Sequence, residues 1–370
     1  MSKITKVEAI PVSIPMKAPL AMSSTVGTES IGEYVILKVT TEDGITGAGE
    51  SSPFMPITSE SQLSEVAIIE NNLKPLLLGE DIFNVEKIWM KMESQVPRNT
   101  AAKASVDMAL YDAIGKALGV PIYKLLGGKT RERVPLCAIL PVGSAQEITD
   151  MALDFVGRGF RALKLKIGVD PRQDVRNVEA IRKVVGEEIT LRLDANQAYT
   201  KDEALRVLKR FEPYDIEFIE QPLRYWDLDG MANLKLHLSI PIASDESLYT
   251  FHDAVRMIKN NAVDVVNIKL STRTGGFTPS KKVAAICEAD GIPNWVGSSL
   301  EFGIGTVASL HFATAIGNVK YACELIGGWV VEEVTTEKIV IKDGSAIIPE
   351  EPGLGVTLNE DVILKYQVKI

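Results

Sequence analysis

Five charged residues in the second half of the chain lie at nearly constant intervals and could form one catalytic centre. Each ends a short apolar segment, and the set is Lys166, Asp194, Glu220, Asp245 and Lys269. Successive members are 28, 26, 25 and 24 residues apart, which is the length of one strand-plus-helix unit. Parallel strands with this period form a barrel whose strands all end at one open face. The five side chains are therefore predicted to meet around a single point.

The carboxylates and the lysines of this set have different predicted roles. Three carboxylates supply hard oxygen ligands, which favours Mg²⁺, with Mn²⁺ as a possible substitute, over zinc. Such an ion would stabilise a carboxylate substrate as it loses its α-proton. Because side chains alternate along a strand, Lys164 and Lys166 are both expected to face the barrel interior. Desolvation and a nearby cation are expected to lower the pKa of a lysine there, so that it can act as a base.

These charges could have a structural role in place of a catalytic one. A single aspartate or lysine at a strand end is usually a salt-bridge partner or a helix cap. Five in register on consecutive strands favour a catalytic set, because a barrel core does not tolerate so many unpaired charges.

Length and composition indicate a large enzyme and exclude several other classes. A chain of 370 residues exceeds what one core usually supports, so a barrel and a smaller domain are expected. A net charge of −9 disfavours nucleic acid and anionic membrane surfaces as partners. No apolar run is long enough to span a membrane, and a cytoplasmic location is expected.

Cys137, Cys287 and Cys323 are expected to be buried free thiols.

Three parts of the chain differ in pattern. Residues 1–128 begin with alternating strands and continue with helical periodicity, which predicts an α+β capping domain. Residues 129–330 carry the repeating strand-plus-helix units of the barrel, with 134–140 as its first strand. Residues 331–370 contain a hairpin at 339–344 and are predicted to return to the capping domain.

Several motifs resemble the enolase superfamily, and within it the muconate lactonizing enzyme (muconate cycloisomerase) subgroup. The resemblance covers nearly the whole chain and rests on Lys164-Leu165-Lys166, Asp194-Ala195-Asn196, Glu220-Gln221-Pro222, Asp245-Glu246-Ser247 and Asn267-Ile268-Lys269 with Gly275-Gly276. It implies an α/β fold in which the capping domain lies on a modified TIM barrel, (β/α)7β. It also implies a small-molecule carboxylate substrate and a homo-oligomer.

The resemblance assigns roles to the residues. It places Mg²⁺ on Asp194, Glu220 and Asp245, and makes Lys166 and Lys269 acid/base groups on opposite faces of the substrate, with Lys164 near the substrate carboxylate. Residues expected around the metal or the substrate are Asn196, Glu246, Glu301, Arg273 and Glu324. Glu301 would hydrogen-bond near the metal and Lys269, or cap the following helix. Arg273 would bind a second anionic group or lie on the barrel rim.

The shared first step of the subgroup is proton exchange α to a carboxylate through an enediolate, and the second step stays open. Two opposed lysines permit racemisation or epimerisation, whereas one suffices for cycloisomerisation or elimination. Dipeptide epimerases carry Asp-x-Asp where this chain has Glu324-Leu325-Ile326, which disfavours a substrate with a free amine. Residues 297–306 look closest to muconate cycloisomerases, so cycloisomerisation of a muconate-like dicarboxylate is the first prediction. The alternatives are an N-acyl amino acid or dipeptide racemase or epimerase, and a non-catalytic carboxylate-binding barrel.

Overall fold

The computed structural model describes residues 2–369, and its N-terminal part is an antiparallel sheet packed on helices. The sheet has the order β1 (Ile4–Ala21), β2 (Thr28–Thr41) and β3 (Thr46–Ser51). The helices are α1 (Met55–Thr58), α2 (Gln62–Ile68), α3 (Lys74–Leu77), α4 (Val85–Gln95), α5 (Thr100–Leu118) and α6 (Ile122–Leu125). Helix α5 lies so close to β3 that a Cβ atom at Gly49 would collide with the carbonyl oxygen of Ser105. A short strand, β4 (Arg133–Pro135), leads into the second part.

The second part is a curled parallel sheet of seven strands with helices outside it. The strands, in spatial order, are β5 (Cys137–Leu140), β6 (Ala162–Lys166), β7 (Thr190–Asp194), β8 (Ile216–Glu220), β9 (Ile242–Ser244), β10 (Val265–Ile268) and β11 (Asn294–Val296). The helices are α7 (Ala145–Gly157), α8 (Pro171–Val185), α9 (Lys201–Leu208), α10 (Leu228–His237), α11 (Phe251–Lys259), α12 (Phe277–Ala289) and α13 (Gly303–Ala315). The α/β class and the repeating strand-plus-helix units are confirmed.

The two edge strands of this sheet are bridged by residues 318–324. Asn294 on β11 donates its backbone N–H to Asn318 at 2.9 Å, and Cys137 on β5 donates to Cys323 at 2.8 Å. These bonds support a closed barrel, but the segment forms isolated bridges and no regular strand. The closed (β/α)7β barrel therefore stays a prediction.

Side chains alternate between the two faces of the parallel sheet. Leu163 and Leu165 face outward into the main apolar core with the surrounding helices. On the inner face, Phe218 and Trp295 form a separate buried cluster, and the Arg192 guanidinium lies 4.6 Å from the Phe218 ring. This packing fills the concave face of the curled sheet below the strand ends.

The C-terminal segment contacts both parts. Strands β12 (Ile341–Lys342) and β13 (Ser345–Ile347) form an antiparallel sheet with β4, so the predicted strand 134–140 is divided between two sheets. Helix α14 (Glu360–Tyr366) packs on β1, and Val368 donates a backbone hydrogen bond to Pro11 at 2.9 Å. These contacts brace the N-terminal sheet, while the exact domain boundaries stay a prediction.

Two further expectations concern membranes and thiols. None of the helices within residues 2–369 has the length and apolar character needed to cross a membrane. Cys137, Cys287 and Cys323 are buried free thiols, as expected. Burial raises the pKa of Cys137 to about 12 and that of Cys323 to about 11, so both stay protonated at neutral pH.

A buried carboxyl group joins the capping sheet to the start of helix α13. Glu50 on β3 accepts backbone N–H groups from Phe302 and Gly305, each at 2.8 Å, at the start of α13. Burial raises the pKa of Glu50 to about 8, because it outweighs the two hydrogen bonds that favour the ionised form. This contact fixes the first turn of α13 and the loop before it.

We expect Glu50→Gln to flatten the pH dependence of stability. The pKa of Glu50 is raised in the folded state, so its stabilising contribution is complete below its unfolded pKa of about 4.5 and is lost as pH rises through about 8. The wild type should lose about 1.4 kcal/mol relative to the variant for each pH unit in that window. Urea unfolding of both proteins at pH 5 and pH 8 measures this, with Glu42→Gln as an exposed control. Parallel stability curves would contradict it.

Candidate active site

The residues predicted for catalysis lie at adjacent strand ends. Lys166, Asp194 and Glu220 are the last residues of β6, β7 and β8, and the sheet register places them side by side. Asp245 follows β9 and Lys269 follows β10. All five are at most 7% exposed. Sequence spacing therefore identified side chains that share one end of the sheet.

Lys164 is the most enclosed cation of the cluster. Its ammonium nitrogen lies 2.7 Å from Glu220, 3.1 Å from Asp194 and 3.0 Å from Glu324. Burial by itself would lower the pKa of Lys164, but these carboxylates outweigh it and hold the pKa well above the ordinary value. The expectation that the pKa of a lysine here is lowered was wrong for Lys164, which stays charged and links the carboxylates.

The other two lysines are bound more loosely and contact the edge of the cluster. Lys166 donates to Asp194 at 2.7 Å and to Asn196 at 2.9 Å. Lys269 donates to Asp245 at 3.1 Å. Each therefore has one carboxylate partner, whereas Lys164 has three.

Two amides that sequence analysis did not assign to the site hold the carboxylates in place. Asn267 donates to Glu220 at 2.7 Å and to Asp245 at 2.9 Å. Its position two residues before Lys269, on the same strand face, is a signal that could have identified it. Gln221 has a φ of +36°, and its side-chain oxygen accepts the backbone N–H of Asp245 at 2.9 Å. The left-handed backbone there aims the amide at the next strand end.

The chemistry of the donor set fits a hard divalent cation, although the present arrangement does not form a complete metal site. Asp194 and Glu220 are adjacent, and their repulsion contributes, after burial, to the raised pKa of Glu220. Within residues 2–369, however, no group of three or more His, Cys, Asp or Glu side chains is arranged to hold a metal ion. Lysine and arginine nitrogens lie against the carboxylates instead. The metal role of Asp194, Glu220 and Asp245 therefore stays a prediction.

Arg273 lies inside the cluster. It belongs to a π-helical turn, Leu270–Thr274, is 1% exposed, and its guanidinium contacts the carboxylate of Asp245. Burial lowers the pKa of Arg273 to about 10, opposed by the charges of Glu220, Asp194 and Glu301. Arg273 thus follows the end of β10 and is buried against Asp245, while its role in binding a second anionic group stays a prediction.

Glu301 and Glu246 occupy the periphery of the cluster. Glu301 accepts hydrogen bonds from Ser271 at 2.7 Å and from the backbone of Ser299 at 2.8 Å. Glu301 therefore contacts the turn that follows Lys269. Within the part of the chain that the structure describes, it forms no hydrogen bond with Lys269 itself. Glu246 accepts from Asn196 at 3.0 Å, and burial raises its pKa to about 7.

A cavity opens above these strand ends and is roofed by the capping sheet. It contains about 650 Å³ of empty space, part of it open to solvent. Lys166, Asn196, Lys269 and Glu324 line it from the strand-end side. Leu20, Met22, Glu29, Glu33, Tyr34 and Phe54 line it from the N-terminal part. Met22 and Phe54 give this side of the cavity an apolar surface, while Met55 is 56% exposed and does not line the cavity.

Glu29 and Glu33 also lie in this cavity, although no motif in the sequence distinguishes them. Both are on β2, far along the chain from the lysines, and only the packing of the two parts brings them to the same space. Tyr34 marks this packing, because its hydroxyl donates to the carbonyl oxygen of Leu300 at 2.6 Å.

Comparison with known proteins gives matches over the whole architecture. Residues 4–127 match the family described as Mandelate racemase / muconate lactonizing enzyme, N-terminal domain, and residues 147–362 match Enolase C-terminal domain-like. Chloromuconate cycloisomerase CbnB of Cupriavidus necator is 35% identical over 98% of this chain and 99% of its own length. N-succinyl-L-Arg/Lys racemase of Bacillus cereus is 31% identical over 99% of this chain and 98% of its own.

A solved structure shows the same fold. Muconate lactonizing enzyme from Pseudomonas fluorescens, complexed with muconolactone, superposes with a TM-score of 0.96 at 32% identity, covering 99% of this chain and 100% of that one. The similar proteins named here are cycloisomerases and a racemase, which are isomerases. The chain is accordingly an isomerase that belongs to the mandelate racemase/muconate lactonizing enzyme group of the enolase superfamily.

Proposed function

We propose that this protein is a Mg²⁺-dependent racemase or epimerase that exchanges the α-proton of an N-acyl amino acid through an enediolate. The observation that carries the proposal is that Lys166 and Lys269 both line one cavity, from β6 and from the end of β10, with three strands between them. Two amines on different sides of one substrate carbon can remove a proton from one face and return one to the other.

The proposed substrate is a small-molecule carboxylate, and its carboxylate would lie near the strand-end cluster. Asp194, Glu220 and Asp245 are the residues that would hold the ion, since all three are buried oxygen donors at neighbouring strand ends. When bound, Mg²⁺ would supply positive charge that stabilises the enediolate. Asn267 would keep Glu220 and Asp245 oriented, because its amide donates to both.

Lys164 would hold the surrounding carboxylates in position and would not act as the base. Its high pKa and its contacts with three carboxylates keep its proton in place. An ammonium so close to Asp194 and Glu220 would also favour the negative charge that develops on a substrate carboxylate nearby. Proton transfer is thereby left to Lys166 and Lys269, which line the cavity.

A muconate-type cycloisomerase is the second candidate, and the relatives favour it. The protein from Cupriavidus necator with 35% identity is a chloromuconate cycloisomerase, and the Pseudomonas fluorescens structure contains muconolactone. Cycloisomerisation needs only one of the two lysines as an acid/base group. The acidic side chains Glu29 and Glu33 in the cavity would repel the second carboxylate of such a substrate, which is why we rank this function second.

Single lysine variants should separate the two faces of the substrate. In D2O with Mg²⁺, Lys166→Ala should exchange the α-proton of one enantiomer of an N-acyl amino acid, and Lys269→Ala that of the other. Racemisation should fall about 10²–10⁴-fold in both, because each removes one acid/base group. Proton NMR measures exchange, and optical rotation measures racemisation. Lys281→Ala is the matched control, since Lys281 is exposed on α12.

The result that would overturn the racemase proposal is absence of exchange in all N-acyl amino acids together with lactone formation from cis,cis-muconate. That outcome would establish the cycloisomerase. If neither substrate class reacts, both candidates fail and only the isomerase class inferred from the family remains.

Mg²⁺ should stabilise the folded protein if the three carboxylates form its site. At 100 times the Kd, we expect a gain of about 2.7 kcal/mol in the free energy of unfolding. Asp245→Asn should abolish most of this gain, whereas Asp361→Asn, at an exposed position in α14, should retain it. Thermal unfolding with Mg²⁺ and with EDTA measures the difference independently of activity. An equal response in the two variants would contradict the assignment of the ligands.

A further inference from the structure

The backbone of Lys269 is held by the turn that follows it. Lys269 comes directly before the π-helical turn Leu270–Thr274. Its carbonyl oxygen accepts the backbone N–H of Arg273 at 3.1 Å and that of Thr274 at 3.0 Å. The hydroxyl of Thr274 donates to the same oxygen at 3.0 Å. A displacement of this turn would therefore move the lysine that lines the cavity.

The N-terminal part of the fold contacts the turn through hydrogen bonds. Thr100, the first residue of α5, is 6% exposed, and its hydroxyl donates to the carbonyl oxygen of Thr272 at 3.1 Å. The backbone N–H of Ser52, which follows β3, donates to the carbonyl oxygen of Ser271 at 3.4 Å. Since every residue of the turn is buried, these carbonyl oxygens depend on protein donors.

Two glycines let helices α4 and α5 approach the end of the turn. Gly275 and Gly276 have φ values of +85° and +101°, which favour glycine. A Cβ atom at Gly275 would lie 2.8 Å from the Trp89 ring on α4, and one at Gly276 would lie 2.5 Å from the Cβ atom of Asp107 on α5. Asp107 also accepts the backbone N–H of Thr278 at 3.0 Å. Helix α5 therefore contacts the chain both within the turn and just after it.

Lys166 is positioned by different contacts. It is the last residue of β6, with three strands between it and β10. Its ammonium group donates to Asp194 and Asn196, which belong to β7 and the residues after it. The N-terminal part contacts the chain beyond Lys166 through Ser24, in the loop between β1 and β2, whose hydroxyl donates to Gly168 at 2.8 Å. Different segments of the N-terminal part thus lie beside the two lysines.

We propose that Thr100 is a positioning residue for Lys269 and leaves Lys166 unaffected. Thr100 holds the carbonyl group of Thr272, the turn holds the backbone of Lys269, and the ammonium group stays 3.1 Å from Asp245. Asp107 is the second anchor. Helix α5 thereby controls proton transfer on one face of the substrate. This effect on rates rests on the proposed racemase activity, whereas the effect on the position of Lys269 does not.

The first test compares the two amines and needs no substrate. Lys166 and Lys269 are 7% and 5% exposed and line the same cavity, so acetylation by acetic anhydride, read by mass spectrometry, compares them within one sample. Thr100→Val should raise the acetylation of Lys269 relative to Lys166 severalfold, because the amine is no longer held against Asp245. Thr100→Ser keeps the hydroxyl and should restore the wild-type ratio.

Ser105 provides a matched control on the same helix. It is buried, and its hydroxyl donates to the carbonyl oxygen of Ala102 at 2.8 Å within α5. Ser105→Ala thus removes a buried hydroxyl from α5 without touching the turn, and urea unfolding measures how far each variant loses stability. The acetylation ratio should stay at the wild-type value in this control. Should Thr100→Val fail to fold, Asp107→Ala removes the second anchor and should raise the same ratio.

The second test follows α-proton exchange of the two enantiomers of an N-acyl amino acid in D2O with Mg²⁺. The single variants Lys166→Ala and Lys269→Ala show which enantiomer each lysine deprotonates. Thr100→Val should slow exchange of the Lys269 enantiomer about tenfold or more, since a small displacement of an acid/base group is costly. Exchange of the Lys166 enantiomer should stay near the wild-type rate, as should both rates in Ser105→Ala.

The outcomes separate this inference from the function on which its rates rest. An unchanged acetylation ratio in the Thr100 and Asp107 variants would overturn the inference, whatever the substrate. An equal change in Thr100→Val and Ser105→Ala, or equal slowing of both enantiomers, would also overturn it, because the effect would then follow the stability of α5. Absence of exchange in the wild type would overturn the proposed function alone, and the acetylation ratio would still decide this inference.

Discussion

The cost of burying charge governs how the catalytic end of this protein is built. A buried ion is stable only when opposite charges and hydrogen bonds compensate it. The strand ends meet this condition with four carboxylates and four cations that interlock: Asp194, Glu220, Asp245 and Glu324 with Lys164, Lys166, Lys269 and Arg273. Removing one member leaves its partners uncompensated, so the cluster behaves as a unit. Asn267 and Gln221 add neutral hydrogen bonds that fix its shape.

The floor and the roof of the cavity come from different parts of the fold and have different tasks. The floor consists of strand ends held in register, so the lysines and carboxylates have little freedom. The roof consists of β1, β2 and the loops beside them, which supply Leu20, Met22, Glu29 and Glu33. Substitutions in the roof can change which side chain is accepted while the proton-transfer groups remain in place.

Much of the floor could be predicted from the sequence, because a strand-plus-helix period and side-chain alternation are local properties. Lys166, Asp194 and Glu220 were located from spacing alone and do end adjacent strands. The raised pKa of Lys164 was not predicted, because it depends on how closely the carboxylates of Glu220, Glu324 and Asp194 approach its nitrogen, which spacing along the chain does not determine. Arg273 was expected around the metal or the substrate, but its contact with Asp245 could not be predicted, because it depends on the π-helical turn that follows β10. Glu29 and Glu33 could not be assigned to the cavity from the sequence, because only the packing of the capping sheet over the strand ends brings them there.

The bracing of the N-terminal sheet by the C-terminal segment has a consequence for biosynthesis. Strands β1 and β2 are synthesised long before α14 and Val368, which pack on β1 and bond to Pro11. Lys38 of β2 likewise pairs with Glu360, which lies far along the chain. The roof can therefore acquire its full set of contacts only after residue 368 has left the ribosome, and the nascent chain must carry an unbraced sheet until then.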